Sequence, residues 1–316
     1  IQANGRSCLH DLLGNNIALT TDALNTFCKF AKKTKIGELI NAIDNYNENP
    51  LFIFVRNQKK CIPIMMETLF KHCKIDKIMQ AMEACNLYHE TPLHILCKQK
   101  FISNGILNTY LTFASKSSKQ CLYALDDQGC TPLHILCKNY DADSSCLEIY
   151  LHYIRTKQYR QFSNNNDNNN NSTDAIIEKN DFNHNKNILI WKNKRNMTPL
   201  MCLVRREKPP TSKEISIYFD NGNDETGMKA LNMICGNDNA TTPLKYLSRR
   251  VEEERIAKGV LNTCLELWSS CSTFVTADDT NNYNVDELRK QFKGYNNNNN
   301  NNTTNINSYY ENTATT

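Results

Sequence analysis

Seven histidines and fourteen cysteines are the side chains in this 316-residue protein best suited to bind a metal or act as nucleophiles. Four of the cysteines, Cys61, Cys73, Cys85 and Cys97, recur at intervals of 12. A structural zinc site draws on closely spaced pairs such as Cys-x-x-Cys, and no such pair occurs. His94 and His134 sit in identical apolar surroundings. A buried imidazole needs hydrogen-bonding partners whether or not it does chemistry. The sequence has no Gly-rich phosphate loop, no His-Glu-x-x-His and no Gly-x-Ser-x-Gly turn. These residues are therefore expected to be buried free thiols and structural imidazoles, with no catalysis, no cofactor and no metal.

The elements that hold these histidines repeat. Thr91-Pro92-Leu93-His94-Ile95-Leu96-Cys97-Lys98 returns letter for letter as Thr131 to Lys138, 40 positions on. Thr followed by Pro starts a helix: the hydroxyl caps backbone N–H groups, and Pro fits the first helical position, where no N–H is needed. Leu, Ile and Leu then give an apolar face, and the small Cys suits a close approach of two helices. Weaker copies are Thr198-Pro199-Leu200-Met201, Thr242-Pro243-Leu244-Lys245, Asn49-Pro50-Leu51-Phe52 and Ser7-Cys8-Leu9-His10. Helix caps thus fall at 7, 49, 91, 131, 198 and 242, with successive differences of 42, 42, 40, 67 and 44.

The string resembles the ankyrin repeat, whose signature Thr-Pro-Leu-His opens the first of two antiparallel helices. The resemblance covers residues 1–272 and implies an all-α, ankyrin-type helix-turn-helix solenoid of about six units. The family period is about 33 residues, so extra residues are expected between the helices or after the second one. The family also places a tight turn before the signature, with Gly two residues ahead of the cap. Here that position holds Gly5, Asn47, His89, Gly129, Asn196 and Ala240. All but Ala240 suit a left-handed backbone. Asp44 and Asp126 take the acidic position three residues earlier. Second helices are expected near 22–32, 62–72, 106–114, 145–156 and 212–219. A further short helix is expected at Ile75–Ala84, and extended chain at Leu122–Leu125 and Ile188–Trp191.

Mean hydropathy is low, −0.58, although 40% of residues are apolar. Runs of Asn at 164–166, 168–171 and 296–302 account for the difference. Segments of this composition bury no core, so an insertion at 160–187 and a tail at 273–316 are expected to be disordered. No stretch approaches the ~20 apolar residues of a membrane span. With the thiols unpaired, the cytoplasm is the expected compartment, and the nucleus the alternative. Ile1 falls inside a predicted turn, so residues are expected to precede it; a transcript whose reading frame starts there would show otherwise.

A repeat array of this kind implies a protein-interaction module rather than an enzyme. The resemblance places the seventh residue after each cap in the inner groove. That position holds Gly14, Arg56, Lys98, Lys138, Arg205 and Arg249, and the next adds Arg206 and Arg250. A positive groove fits an acidic or phosphorylated protein partner, because Arg holds carboxylate or phosphate through two hydrogen bonds. The competing reading is that a base at each helix end merely complements the helix dipole. The doubled arginines favour a ligand, since one charge satisfies the dipole. The turn tips, the family's other contact sites, carry Asn45, Tyr46, Tyr88, Asp127, Gln128, Lys194 and Arg195. Tyr46 and Tyr88 serve either as binding anchors or as packing between turns. Two alternatives stay open. One is a regulatory piece of a larger kinase, ubiquitin ligase or GTPase regulator. The other is an anionic-lipid or nucleic-acid surface, which a net charge of only +4 disfavours. No small-molecule substrate is expected.

Overall fold

The structure, a computed structural model, describes residues 4–271 apart from 16–18, 58–61, 118–119, 164–186, 222–225, 227–228, 232, 234, 237–240 and 253–257. The chain divides into two compact units, Ile1–Cys271 and Ser272–Thr316. The second, with the expected tail, lies outside the described residues, as do Cys61, Ala240 and most of the Asn-rich insertion.

Residues 4–271 form an all-α repeat solenoid, and no strand occurs among the described residues. Each unit opens with a very short helix: α1 (Cys8–Gly14), α4 (Pro50–Arg56), α7 (Pro92–Cys97), α10 (Pro132–Lys138), α12 (Pro199–Arg205) and the longer α14 (Pro243–Glu252). A second helix follows: α2 (Thr21–Phe30), α5 (Pro63–Lys71), α8 (Asn104–Ser117), α11 (Ser144–Ser163), α13 (Ser212–Asn221) and α15 (Lys258–Cys271). First helices pack on first helices and second on second, in two parallel rows from unit to unit. The first helices lie inside this arrangement. In α4 every residue from Pro50 to Val55 is buried, which is why the sequence is apolar on all sides rather than amphipathic.

The long period comes from a third element. Helices α3 (Lys32–Ile40), α6 (Ile75–Glu83) and α9 (Gln120–Tyr123) and a 3₁₀ turn at Ile188–Ile190 close the first four units. The helix expected at Ile75–Ala84 is α6. Against the extended chain expected there, Leu122 and Tyr123 end α9 and Ile188–Ile190 form the 3₁₀ turn, while Trp191 is extended. A tyrosine from the next unit's second helix grips three of the four third elements by a backbone carbonyl. Tyr110 Oη donates to Met82 O at 3.5 Å, Tyr150 to Leu122 O at 2.9 Å and Tyr218 to Leu189 O at 2.8 Å. All three rings are fully buried, so the hydroxyl has to find such an acceptor.

Histidines join the first helices. Nδ1 of His10, His94 and His134 accepts the backbone N–H of its own cap, Ser7, Thr91 or Thr131, at 3.0–3.1 Å. That leaves the ring proton on Nε2, which donates across the seam to the carbonyl just before the next cap. The acceptors are Glu48 at 2.9 Å, Cys130 at 3.0 Å and Met197 at 3.1 Å. Both nitrogens are thus committed with the ring neutral. Burial holds His94 below the ordinary histidine value and brings His134 down to about 4.

A neutral ring that resists protonation makes stability depend on pH. The unfolded chain takes up protons from pH 6.5 downward, and the folded His134 only near 4. Stability should therefore be full above pH 6.5 and fall as pH drops from 6.5 to about 4, by roughly 3 kcal/mol for His134 alone. Urea unfolding at pH 7 and pH 4.5 checks this, and His134→Gln should flatten the dependence while lowering stability at neutral pH.

Candidate protein-binding surface

The turns before the caps at 49, 91, 131 and 198 are each built by one side chain. Asp44 Oδ1 accepts the N–H groups of Tyr46 and Glu48, at 2.9 and 3.0 Å. Asn86, Asp126 and Asn193 do the same for the turns that lead into units three, four and five. Asn47, His89, Gly129 and Asn196 then take φ values of 55 to 68°, and Gly5 lies at 77°. Before unit six Gly236 is left-handed at φ 89°, and Ala240 lies outside the described residues. At Gly129 a side chain would also meet the Lys194 backbone nitrogen at 3.2 Å, so both space and φ select glycine.

Successive tips stack through their backbones. Asn45 N–H donates to Asn4 O, Leu87 to Tyr46 O, Asp127 to Tyr88 O and Lys194 to Gln128 O, at 2.8 to 3.3 Å. With the backbones so occupied, the side chains project outward. Tyr46 and Tyr88 are 63% and 67% exposed, so neither is packed away between turns. Leu87, which the sequence reading passed over, is 61% exposed beside them. The exposed tips change character along the row: Asn45 and Tyr46, Leu87 and Tyr88, Asp127 and Gln128, then Lys194 and Arg195. His89 reaches Asp127 at 2.6 Å and ties the third tip to the fourth.

The seventh residues after the caps, Arg56, Lys98, Lys138, Arg205 and Arg249, are all exposed at the ends of the first-helix row. Their settings differ. Arg56 forms a two-pronged pair with Glu48, one contact being 2.8 Å, and Lys98 meets Glu90 at 3.2 Å. These carboxylates occupy the position just before the cap of the same unit. Asn86 Nδ2 links them, donating to Glu48 at 3.4 Å and to Glu90 at 3.2 Å. In units four to six that position holds Cys130, Met197 and Thr241. Arg205 accordingly lies against the Met197 thioether at 3.5 Å and over the Tyr246 ring, 5.6 Å from its centre.

The eighth residues are structural, which corrects the assignment of Arg206 and Arg250 to the groove. Both are buried. Arg250 donates to the carbonyls of Val204 at 2.9 Å and Arg206 at 3.1 Å, closing the end of α12. Asn57 does this for Leu13 O, and Asn139 for Cys97 O and Gln99 O. Arg206 is paired with the buried Glu214, which also accepts from the Thr211 N–H at the start of α13. The doubled arginines are therefore one outward charge and one inward cap. Their signal was present in Asn57 and Asn139 at the same offset.

Burial raises Cys28 to about 11 and Cys73, Cys121, Cys202 and Cys264 to about 12, well away from a reactive thiolate. No group of three metal-binding side chains occurs among the described residues. Nor is any described helix long and apolar enough to cross a membrane.

No family model matches the chain, and no curated protein does. Among solved structures it is similar to the ankyrin repeat domain of Bcl-3, described as a unique member of the IkappaB protein family. The identity is 14% and the TM-score 0.33, over 83% of this chain and 99% of that one.

Neighbouring arginines with opposite duties should part on substitution. Arg206→Ala leaves Glu214 buried and unpaired and should cost roughly 3–5 kcal/mol. Arg205→Ala loses an exposed cation–π contact and should cost no more than about 1 kcal/mol. Equilibrium urea unfolding of the two variants measures the contrast.

Proposed function

We propose that residues 1–272 are a non-catalytic protein-interaction module that takes a partner across the turn tips and the ends of the first helices. On this reading the insertion at 160–187 and the tail at 273–316 stand outside the module, and the protein works in the cytoplasm or nucleus without cofactor or small-molecule substrate. The observation that carries it is the row of exposed bases, Arg56, Lys98, Lys138, Arg205 and Arg249, on helices that pack neighbour against neighbour. The same exposed face carries the tips, since Arg56 reaches back along α4 to the turn residue Glu48. Such a face, basic at its helix ends and aromatic at Tyr46 and Tyr88, suits a partner with an acidic or phosphorylated segment and apolar contacts.

The module needs only to present a surface, and the packing supports that role. In α4, α7, α10 and α12 the residues ahead of the charged end are buried or nearly so, and substitutions at that end therefore leave the core intact. Lys98→Glu, Lys138→Glu and Arg205→Glu combined should abolish capture of the native partner from the source cells while the helical circular dichroism stays unchanged. Undiminished capture by this folded triple variant would discard the basic row as the binding surface.

A further inference from the structure

The bases of the row are not equivalent, and the difference locates the anion-binding part. In units two and three the residue before the cap is a glutamate that the helix-end base already holds: Glu48 by Arg56, Glu90 by Lys98. Asn86, from the turn leading into unit three, adds its amide N–H to Glu48 at 3.4 Å. These contacts form a small carboxylate receptor filled by the protein itself.

The receptor is repeated in units four and five without its carboxylate. Asn193, from the turn leading into unit five, points its amide at Cys130 Sγ at 3.2 Å, as Asn86 points at Glu48. Arg205 lies on Met197 Sδ at 3.5 Å, as Arg56 lies on Glu48. Cys130 and Met197 offer sulfur, a weak acceptor, where the earlier units offer a charged oxygen. Around them stand Lys138, Arg205 and the tip residue Arg195, all exposed. Lys138 and Arg205 both act electrostatically on the Cys202 thiol, and Lys138 and Arg195 both on Cys130. Asp126, whose charge also acts on Cys130, has Oδ1 tied to the N–H groups of Gln128 and Cys130.

We infer that units four and five form an open anion-recognition site, in which Lys138, Arg205, Arg195 and the Asn193 amide receive carboxylate or phosphate oxygens of an extended partner segment, in the place that Glu48 and Glu90 fill in units two and three. This rests on the proposed protein-binding role and narrows it. The anionic part of the partner lies over units four and five, and its apolar part over the aromatic tips of units two and three. A carboxylate and a phosphate present the same oxygens to this set, and Arg gives either of them two parallel hydrogen bonds.

The test fills the site from within. Cys130→Glu with Met197→Glu copies the pattern of the earlier units and supplies the missing carboxylates. Two fluorescein-labelled peptides of equal length serve as probes, one rich in Glu and one carrying two phosphoserines. Binding is read by anisotropy at low salt, where surface charge is least screened. The wild-type protein should bind at least one probe. The double-Glu variant and Lys138→Ala/Arg205→Ala should each weaken that binding by about tenfold or more, the loss of one charge-assisted pair. The probe held more tightly names the source of the anion. Circular dichroism confirms that each variant is folded, and the alanine pair decides if the glutamate pair is not. Full binding by both folded variants, with loss only in Lys98→Glu/Lys138→Glu/Arg205→Glu, would overturn the placement in units four and five and keep the basic row. Binding untouched by all three, or no binding by the wild-type protein, would overturn the row and this site together.

Discussion

A helix of six or seven residues cannot sustain itself in water. Fixing its first turn costs more than its few hydrogen bonds return, so such a segment is helical only where neighbours hold it. Five of the six first helices here are that short. Each is wedged between its counterparts, and its ends are tied down from outside. At the start, the preceding unit's imidazole binds the carbonyl ahead of the cap in three of the seams, from His10, His94 and His134. At the finish, Asn57, Asn139 or Arg250 of the following unit takes the last carbonyls. A unit in this protein is therefore a repeat of sequence but not a self-sufficient repeat of structure.

The same constraint sorts the polar residues into two kinds. Those that hold another element in place are buried and fully engaged: the three imidazoles, the three tyrosines and Arg250 on a neighbouring unit's backbone, and Arg206 on Glu214 and the Lys208 carbonyl of its own unit. On the first helices α4, α7, α10 and α12 the residues that face outward lie at the charged helix end, beside the turn tips. One position before the cap and one seven residues after it meet on that face. Together they decide whether a base is satisfied internally, as with Glu48 and Arg56, or is turned toward something else, as with Arg205 on Met197.

Much of the scaffold was legible in the sequence because its signals are local. Thr-Pro fixes a helix start, and Gly, Asn or His two residues earlier fixes a left-handed turn, with partners only a few positions away. The third elements were harder to read. Leu122–Leu125 and Ile188–Trp191 are too short and apolar to reveal a period, and the tyrosine that holds each of them lies 28 or 29 residues further on. The role of Arg206 and Arg250 was hidden for the same reason: adjacent arginines look alike in sequence, while their partners lie on other helices. Tyr110 and Tyr150, the same distance after their caps, and Asn57 and Asn139, at the offset of the second arginine, were the available clues. Glu48 and Glu90 went unread because they precede the repeated string.

The imidazole bridges are not spread evenly. Units one and two share one, and units three, four and five are joined by two in succession. The position is Phe52 in unit two and Met201 in unit five. In a linear array whose stability is a sum over neighbour contacts, unequal contacts give an order of opening. By this count the seams without an imidazole, between units two and three and between units five and six, should open first, with units three to five holding together. The open basic face at Lys138 and Arg205 lies on that block. Its charges are held at a fixed spacing before any partner arrives, so little ordering entropy is lost on association and the match of partner to spacing becomes strict.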